Sequence, residues 1–332
     1  MEKSLLTIIQ RIEQLNIMVI GDIVADVYLE GKISRISREA PVLILEHSEE
    51  RVVPGGAANV VHNTATLSGN VYAVGVVGQD YAGQELARIL ATKNAHTNGL
   101  LVDNGRPTIT KTRVMAGGQA TVRQQIVRID REKKETLGHE IEQSIKAYIT
   151  AHISNMHGVV ISDYGSHTVT PDIMRYVIQT CGDKNIPCVV DSRYNIMEYS
   201  GIEVVKQNES EAAAAVGYDI IDQATLLLAG KTILEKLDAK AVLISRGPDG
   251  MTLFEKTGTV THIPVTNKSE VYDVTGAGDT VVATMILALA AGASYEDAAR
   301  LSNFAAGIVV KKPGTATTTP EELRQAIGEH FE

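Results

Sequence analysis

The chain is poor in the residues that mark several large classes of protein. Its 332 residues include two cysteines, Cys181 and Cys188, so no disulfide framework is implied. Cys188 opens the apolar run Cys188-Val189-Val190 and reads as a buried thiol. The nine histidines are scattered, with no zinc-ligand spacing to cysteine. Positive charge is in deficit: 31 Lys and Arg against 40 Asp and Glu give a net charge of -9. A nucleic-acid surface would need a basic stripe, so that class is excluded. No apolar run is long enough to span a membrane. Residues 1–15 carry Leu5, Leu6, Ile8, Ile9, Ile12 and Leu15 among charges. That is the pattern of an amphipathic helix, whereas a signal peptide has an unbroken apolar stretch and a small-residue cleavage site. The cytoplasm is the expected compartment. No Gly/Ser-rich or Pro-rich linker and no internal repeat interrupts the chain.

What is present is a globular composition, 44% hydrophobic, with a mean hydropathy of +0.00 and a pI of about 5.5. The length suffices for one large α/β domain. Strand-like apolar runs at 17–21, 71–77, 159–162, 188–191, 204–206 and 241–245 alternate with helical patterns at 56–67, 83–93, 140–153, 171–181 and 223–237. Continuous Val/Ile runs are strands buried on both faces, as in a parallel sheet. The alternation predicts a doubly wound α/β fold with right-handed crossovers. Asp22, Asp163, Asp191, Asn208 and Arg246 stand at strand ends. Open α/β sheets bind ligands at that edge, so the site is expected there. Segments 27–53 and 109–129 instead show alternating β-formers and predict short antiparallel strands projecting from the sheet.

The stretch Asp273-Val274-Thr275-Gly276-Ala277-Gly278-Asp279-Thr280 carries the chemistry. The apolar positions Val281, Val282, Met285, Ile286 and Leu289 follow a helical period, so a helix starts near Gly278. A glycine-rich turn entering a helix offers unpaired N–H groups and the positive end of a dipole. It is an anion cradle, and Asp279 stands beside it as a base. Phosphoryl transfer to a hydroxyl needs both parts. A plain tight turn would need only one glycine.

Further motifs lie at other strand ends. Asp22 and Asp26 can accept hydrogen bonds from sugar hydroxyls, or belong to a solvated turn. Gly55 and Gly56 allow close backbone approach, and Asn59 both donates and accepts; a turn with an N-cap is the plainer reading. Asn208-Glu209-Ser210-Glu211 reads equally as an acidic helix N-terminus. Ser245-Arg246-Gly247-Pro248-Asp249-Gly250 is by itself a strong turn signal. Gly230-Lys231-Thr232 imitates the end of a P-loop, but Thr225 stands where its first glycine belongs, so that reading is rejected. A dehydrogenase would show G-x-G-x-x-G after its first strand, and Gly21 is followed by Asp22, Ile23 and Val24.

The 273–280 stretch, with the Gly21–Asp26 and Pro54–Asn59 motifs, resembles the signatures of the ribokinase-like (PfkB-type) carbohydrate kinases. The resemblance covers nearly the whole chain. It implies a three-layer α/β sandwich with a mostly parallel central sheet, residues 1–332 forming one kinase domain. Segments 27–53 and 109–129 would form a small β-lid over the sugar site. It implies Asp279 as catalytic base and the amides of Gly276, Ala277 and Gly278 as the anion hole. Asp22, Asp26, Gly55, Gly56, Asn59, Lys111, Asp163 and Arg193 would bind the sugar. Asn208, Glu211, Ser245, Gly247, Gly250 and Asn303 would face ATP, with Glu211 near Mg2+. A monovalent cation such as K+ and a homodimer formed through the lid are also implied, with neither nucleic acid nor membrane as partner.

Within the superfamily the chain is most similar to the kinases of D-glycero-β-D-manno-heptose 7-phosphate in lipopolysaccharide-precursor synthesis. Ser34-Arg35-Ile36-Ser37-Arg38-Glu39-Ala40-Pro41, Pro107-Thr108-Ile109-Thr110-Lys111-Thr112-Arg113, Ser162-Asp163-Tyr164 and Glu270-Val271-Tyr272 carry this likeness. The chain stops at Glu332, so the monofunctional form, without a nucleotidyltransferase domain, is expected. Three departures bear on the acceptor. Gly165, Ser166 and His167 stand where a Lys-Gly pair is usual, Ser192 and Arg193 replace Pro-Lys, and extra residues enter the lid between Ala116 and Arg128. The lid and its approach concentrate Arg35, Arg38, Lys111, Arg113, Arg123 and Arg128 in an acidic protein, which suits an acceptor already bearing phosphate.

Overall fold

The structure is a computed structural model that describes residues 1–331 apart from 14, 68, 119–120 and 267–270, and apart from the side chains of 118 and 121–123. Glu270 and the side chain of Arg123 therefore lie outside the described residues. In chain order the strands and helices are α1 (Glu2–Arg11), β1 (Asn16–Gly21), β2 (Ile23–Ile36), β3 (Leu43–Gly56), α2 (Ala57–Thr66), β4 (Asn70–Val77), α3 (Tyr81–Ala91), β5 (Ala95–Val102), β6 (Ile109–Gly118), β7 (Thr121–Arg131), α4 (His139–His152), β8 (Gly158–Asp163), α5 (Pro171–Lys184), β9 (Cys188–Ser192), β10 (Val204–Asn208), α6 (Glu209–Val216), α7 (Gln223–Leu237), β11 (Ala241–Ser245), β12 (Met251–Glu255), β13 (Val260–Ile263), α8 (Ala277–Ala290), α9 (Tyr295–Val309) and α10 (Pro320–Phe331).

Nine strands form one sheet in the order β13-β12-β11-β10-β9-β8-β1-β4-β5. Pairings from β11 through β5 are parallel, while β12 and β13 add antiparallel strands at one edge. Alternate residues of each strand feed opposite faces. Val160, Val189 and Val204 pack on the face covered by α1, α2, α3, α8, α9 and α10. Val159, Ile161, Val190 and Val205 pack on the face covered by α4, α5, α6 and α7. Two cores on one sheet explain why its strands read as unbroken apolar runs. Cys181 and Cys188 are buried free thiols, as the sequence implied, and Gly230 lies inside α7 beneath the Phe254 ring.

The second sheet has the order β3-β2-β6-β7. Its strands cover the segments expected for the lid, but β2 and β6 run parallel while the outer pairs are antiparallel. The sheet is therefore mixed, because β2 and β6 both leave the central layer in the same direction. Register in the central sheet then sets the site. Gly21 pairs with Ser162, Ser162 with Asp191, Asp163 with Ser192, and Asn208 with Ser245. The strand-end residues stand in one row, and α8 starts above them. Among the described residues no helix is long and apolar enough to cross a membrane.

Candidate active site

Gly276 has φ 79° at the N-cap of α8, a left-handed conformation that favours glycine. A Cβ there would sit 2.6 Å from the Asn59 side-chain amide, so the missing side chain also lets α2 approach the turn. Ala277 N–H donates to the carbonyl of Val274 at 3.2 Å and closes that turn. Of the three amides expected in the anion hole, this one is engaged within the turn. The amides of Gly276, Gly278 and Asp279 have no acceptor among the described residues and are the open donors of the turn.

Asp279 lies in the first turn of α8 and is 6% exposed. Asn59 Nδ2 donates to its Oδ2 at 2.7 Å and Tyr164 Oη to its Oδ1 at 2.9 Å. Burial pushes this carboxyl up to about 6, with nearby Asp191 adding to the rise. The hydrogen bonds from Asn59 and Tyr164 and the charge of Lys206 hold it from rising further. A buried carboxylate poised near neutrality fits a general base.

Sequence reasoning misses Lys206, although a lysine closing a buried Val-Val run is a visible anomaly. It is 5% exposed, and its Nζ donates to Asp191 Oδ2 at 2.8 Å. Burial disfavours its charge, but Asp191, Glu211 and Asp279 outweigh that and hold its pKa above the usual lysine value. A Cβ on Gly278 would fall 2.8 Å from this ammonium. The second glycine of the motif therefore makes room for a fixed positive charge at the mouth of the amide cradle.

A cavity of about 320 Å³ opens above the base. Asp26, Gly55, Gly56, Lys111, Asp163 and Arg193, six of the residues expected on the sugar, line it together. Asp26 Oδ1 accepts from Arg113 at 2.6 Å. Lys111 Nζ lies 5.1 Å and the Arg193 guanidinium 4.7 Å from the centre of the Tyr164 ring. Burial and the charge of Arg193 lower the proton affinity of Lys111. Asp163 reaches the cavity while its carboxylate accepts from Gly165 N–H, Ser192 and Tyr199.

Two residues expected on the sugar stand elsewhere. Asp22 is fully buried, and its oxygens accept the amides of Tyr164, Ser166 and Thr168 at 2.8, 3.0 and 3.1 Å. It braces the loop after β8 and does not line the cavity. Asn59, also fully buried, spends its amide on Asp279 and its Oδ1 on Asn63. A strand-end position fixes proximity to a site but not the direction of a side chain.

A second cavity, of about 740 Å³, adjoins the cradle on its other side. Ser245, Gly247, Gly250 and Asn303, four of the residues expected to face ATP, line it together with Gly278. Asn303 Nδ2 donates to the carbonyl of Pro264 at 2.7 Å. Val281, from the helical apolar period, and Thr266 and Gly307, which carry no sequence signal, also line it. Asn208 and Glu211 close a capping box on α6: Asn208 Oδ1 accepts from Glu211 N–H, and Glu211 Oε2 accepts from Asn208 N–H. The structural reading of that pair is therefore satisfied, yet both also line the first cavity. Glu211 Oε1 stands 3.9 Å from Arg193. Among the described residues no group of three His, Cys, Asp or Glu forms a metal cage. The donors at hand are the hard oxygens that suit Mg2+, which keeps most of its waters.

Comparison with known proteins agrees with this geometry. Residues 14–322 match the pfkB family carbohydrate kinase profile. The chain is 42% identical over 315 residues to the bifunctional protein HldE of Geobacter sulfurreducens, covering 95% of this chain and 63% of that protein. It is 41% identical to the HldE protein of Geobacter metallireducens, covering 98% and 66% respectively. It thus spans less than two thirds of the length of these curated relatives. Among solved structures, Escherichia coli phosphofructokinase-2 in complex with potassium superposes with a TM-score of 0.73 at 19% identity, over 96% of this chain and all of that one. Arabidopsis thaliana ribokinase complexed with ribose and ATP gives 0.70 at 20% identity, over 96% and 99%. The fold is accordingly ribokinase-like, a sandwich with a β-sheet lid, and the chain belongs to the pfkB family of carbohydrate kinases.

Proposed function

We propose that this kinase transfers the γ-phosphoryl group of ATP to C1 of D-glycero-β-D-manno-heptose 7-phosphate, with Mg2+. The observation that carries the choice of acceptor is the pair of cations, Lys111 and Arg193, which project over Tyr164 into the cavity above the base. Arg113 and Lys206, the other cations there, are already matched to Asp26 and Asp191. A phosphate carried by the sugar suits the other two, of which Arg193 is met only loosely by Glu211 at 3.9 Å. The likeness to heptose-phosphate kinases and the HldE relatives support the same reading.

In this reading the acceptor hydroxyl gives its proton to Asp279 as its oxygen attacks the γ-phosphorus. The bond from that phosphorus to the β–γ bridging oxygen breaks, and ADP departs with the electron pair. The open amides of Gly278 and Asp279 and the ammonium of Lys206 meet the charge that spreads over the transferring group. Glu211 and Asn208 would hold hydrated Mg2+, which when bound neutralises phosphate charge. The lid excludes water, a competing acceptor. Its exposed Ile33, Ile36, Val42, Leu43 and Ile129 suit a homodimer formed through the lids, which would also cover its open edges. A K+ ion and a cytoplasmic setting belong to the same proposal.

The test is turnover of purified protein with ATP against the heptose 7-phosphate, its unphosphorylated parent and a panel of other sugar phosphates. A kcat/KM at least about 10-fold higher for the phosphate than for the parent is expected from one added charged contact. Equal values would overturn the heptose-phosphate reading and leave a plain sugar kinase.

A further inference from the structure

We propose that Tyr164 is a positioning residue for phosphoryl transfer: its hydroxyl fixes Oδ1 of Asp279, so that the base meets the acceptor in one orientation and one protonation state. The inference rests on Asp279 being the base and concerns how it is held.

The geometry supports it from three directions. Tyr164 Oη donates to Oδ1 at 2.9 Å, opposite the Asn59 bond to Oδ2 at 2.7 Å. Each carboxylate oxygen thus has one protein donor, and rotation of the carboxylate breaks both bonds. The ring is held by Lys111 from the lid strand β6 and Arg193 from the loop after β9. The backbone of Tyr164 is pinned by its N–H bond to buried Asp22, which also collects the amides of Ser166 and Thr168. Ser166 Oγ donates to Glu132, just beyond the lid strand β7, at 3.0 Å. The tyrosine is therefore joined to the base at its tip, to the lid at its ring and to the sheet at its root.

The charged groups that face Asp279 are Asp191 from β9 and Lys206 from β10, with Lys111 and Arg193 reaching it through the tyrosine. Asp191 opposes ionisation of the base, and Lys206 favours it. Tyr164 supplies the favourable hydrogen bond on the acceptor side. Burial and the neighbouring Asp279 carboxylate raise the phenol's own pKa well above its usual value, so it remains a donor. A donor to the charged form of a carboxylate lowers its proton affinity. Losing such a bond is worth about one pH unit.

The experiment is Tyr164→Phe in the full chain, which keeps the ring and removes the hydroxyl. The Asp279 side-chain carboxyl is followed by 13C NMR of aspartate-labelled protein, assigned with Asp279→Asn. The proposal expects its titration midpoint to move up by about one unit in the variant. The acid limb of kcat should move with it while the KM for ATP stays unchanged. Asp22→Asn, which loosens the root of the same loop, should move the midpoint in the same direction, with no further shift in the double variant. A midpoint that stays in place in folded Tyr164→Phe overturns the proposal. So does a kcat that falls by the same factor at every pH. The NMR arm needs no acceptor, so its outcome holds even where the sugar assignment fails.

Discussion

The two cavities that meet at the 276–279 turn are built in opposite ways. The acceptor side holds Asp26, Asp191, Glu211 and Asp279 together with Lys111, Arg113, Arg193 and Lys206. The nucleotide side has no charged side chain among its described lining residues; Val265, Val281, Ala306 and Val310 shape it, with glycines and a few hydroxyls. Burying a charge costs several kcal/mol unless it is paired. The acceptor side meets that cost with short pairs, Arg113–Asp26 at 2.6 Å and Lys206–Asp191 at 2.8 Å. The other side avoids it by using backbone and shape. On the proposed assignment, side-chain chemistry would select the acceptor, while an apolar slot would accept a flat base.

Removing the base should give the largest effect. Asp279→Asn is expected to lower kcat by about 100-fold or more, with nucleotide binding by calorimetry unchanged. The same variant should be more stable at pH 8. The folded state holds this carboxyl at about 6, above its ordinary value of 3.8. Ionisation therefore opposes folding, fully above about pH 6 and not at all below 3.8. The rise in Tm should shrink as pH falls through 6, and wild-type activity should be lost over that same fall.

Breaking the Lys206–Asp191 pair separates charge from pairing. Lys206→Met leaves the half-buried Asp191 carboxylate without its partner and should cost about 2 kcal/mol in denaturant unfolding. Adding Asp191→Leu should restore most of that stability but not kcat, because the ammonium beside the cradle is still missing. Recovery of both would make the pair purely structural.

Smaller effects should divide cleanly between the two sides. Lys111→Ala or Arg193→Ala is expected to raise the KM for a phosphorylated acceptor about 10-fold and to leave the KM for ATP alone. Added salt should mimic this. The least effect belongs to Gly307→Ala. Its new Cβ would meet Thr266 Oγ1 at 2.7 Å, so the KM for ATP should rise about 3-fold with the acceptor unaffected. A change in acceptor KM there would dissolve the division.

Much of this is legible in the sequence because it is local. The turn 276–279 and its helix follow from a few adjacent residues, and the strands 159–162 and 241–245 from apolar runs. The edge strand β5 escapes that pattern because Ala95-His96-Thr97-Asn98-Gly99 is polar and interrupted, its pairing with β4 being what extends it. The edge strand β13 escapes it too, because it is short and partly exposed, and β12 because Thr252 interrupts its apolar residues although four of its five positions are buried. Lys206, Asp191 and Tyr164 reach Asp279 only because β8, β9 and β10 lie side by side. No spacing along the chain encodes that meeting. Asp22 and Asn59 show the converse limit, since both lie where the motifs put them but spend their side chains on protein groups, the loop after β8 and Asp279.

Helix α8, whose first turn carries the base, is buried continuously from Asp279 to Leu289. Beyond that first turn, whose Gly278 and Asp279 amides stand open, its backbone amides can meet solvent deuterium only when the whole molecule opens. The lid strands, with much of their surface in water, can open alone. In a hydrogen-exchange experiment the two partners in catalysis should therefore run on separate clocks. The helix should exchange at the rate of global unfolding, and the lid orders of magnitude sooner. Motion in each catalytic cycle then falls to the cover, and the base stays still.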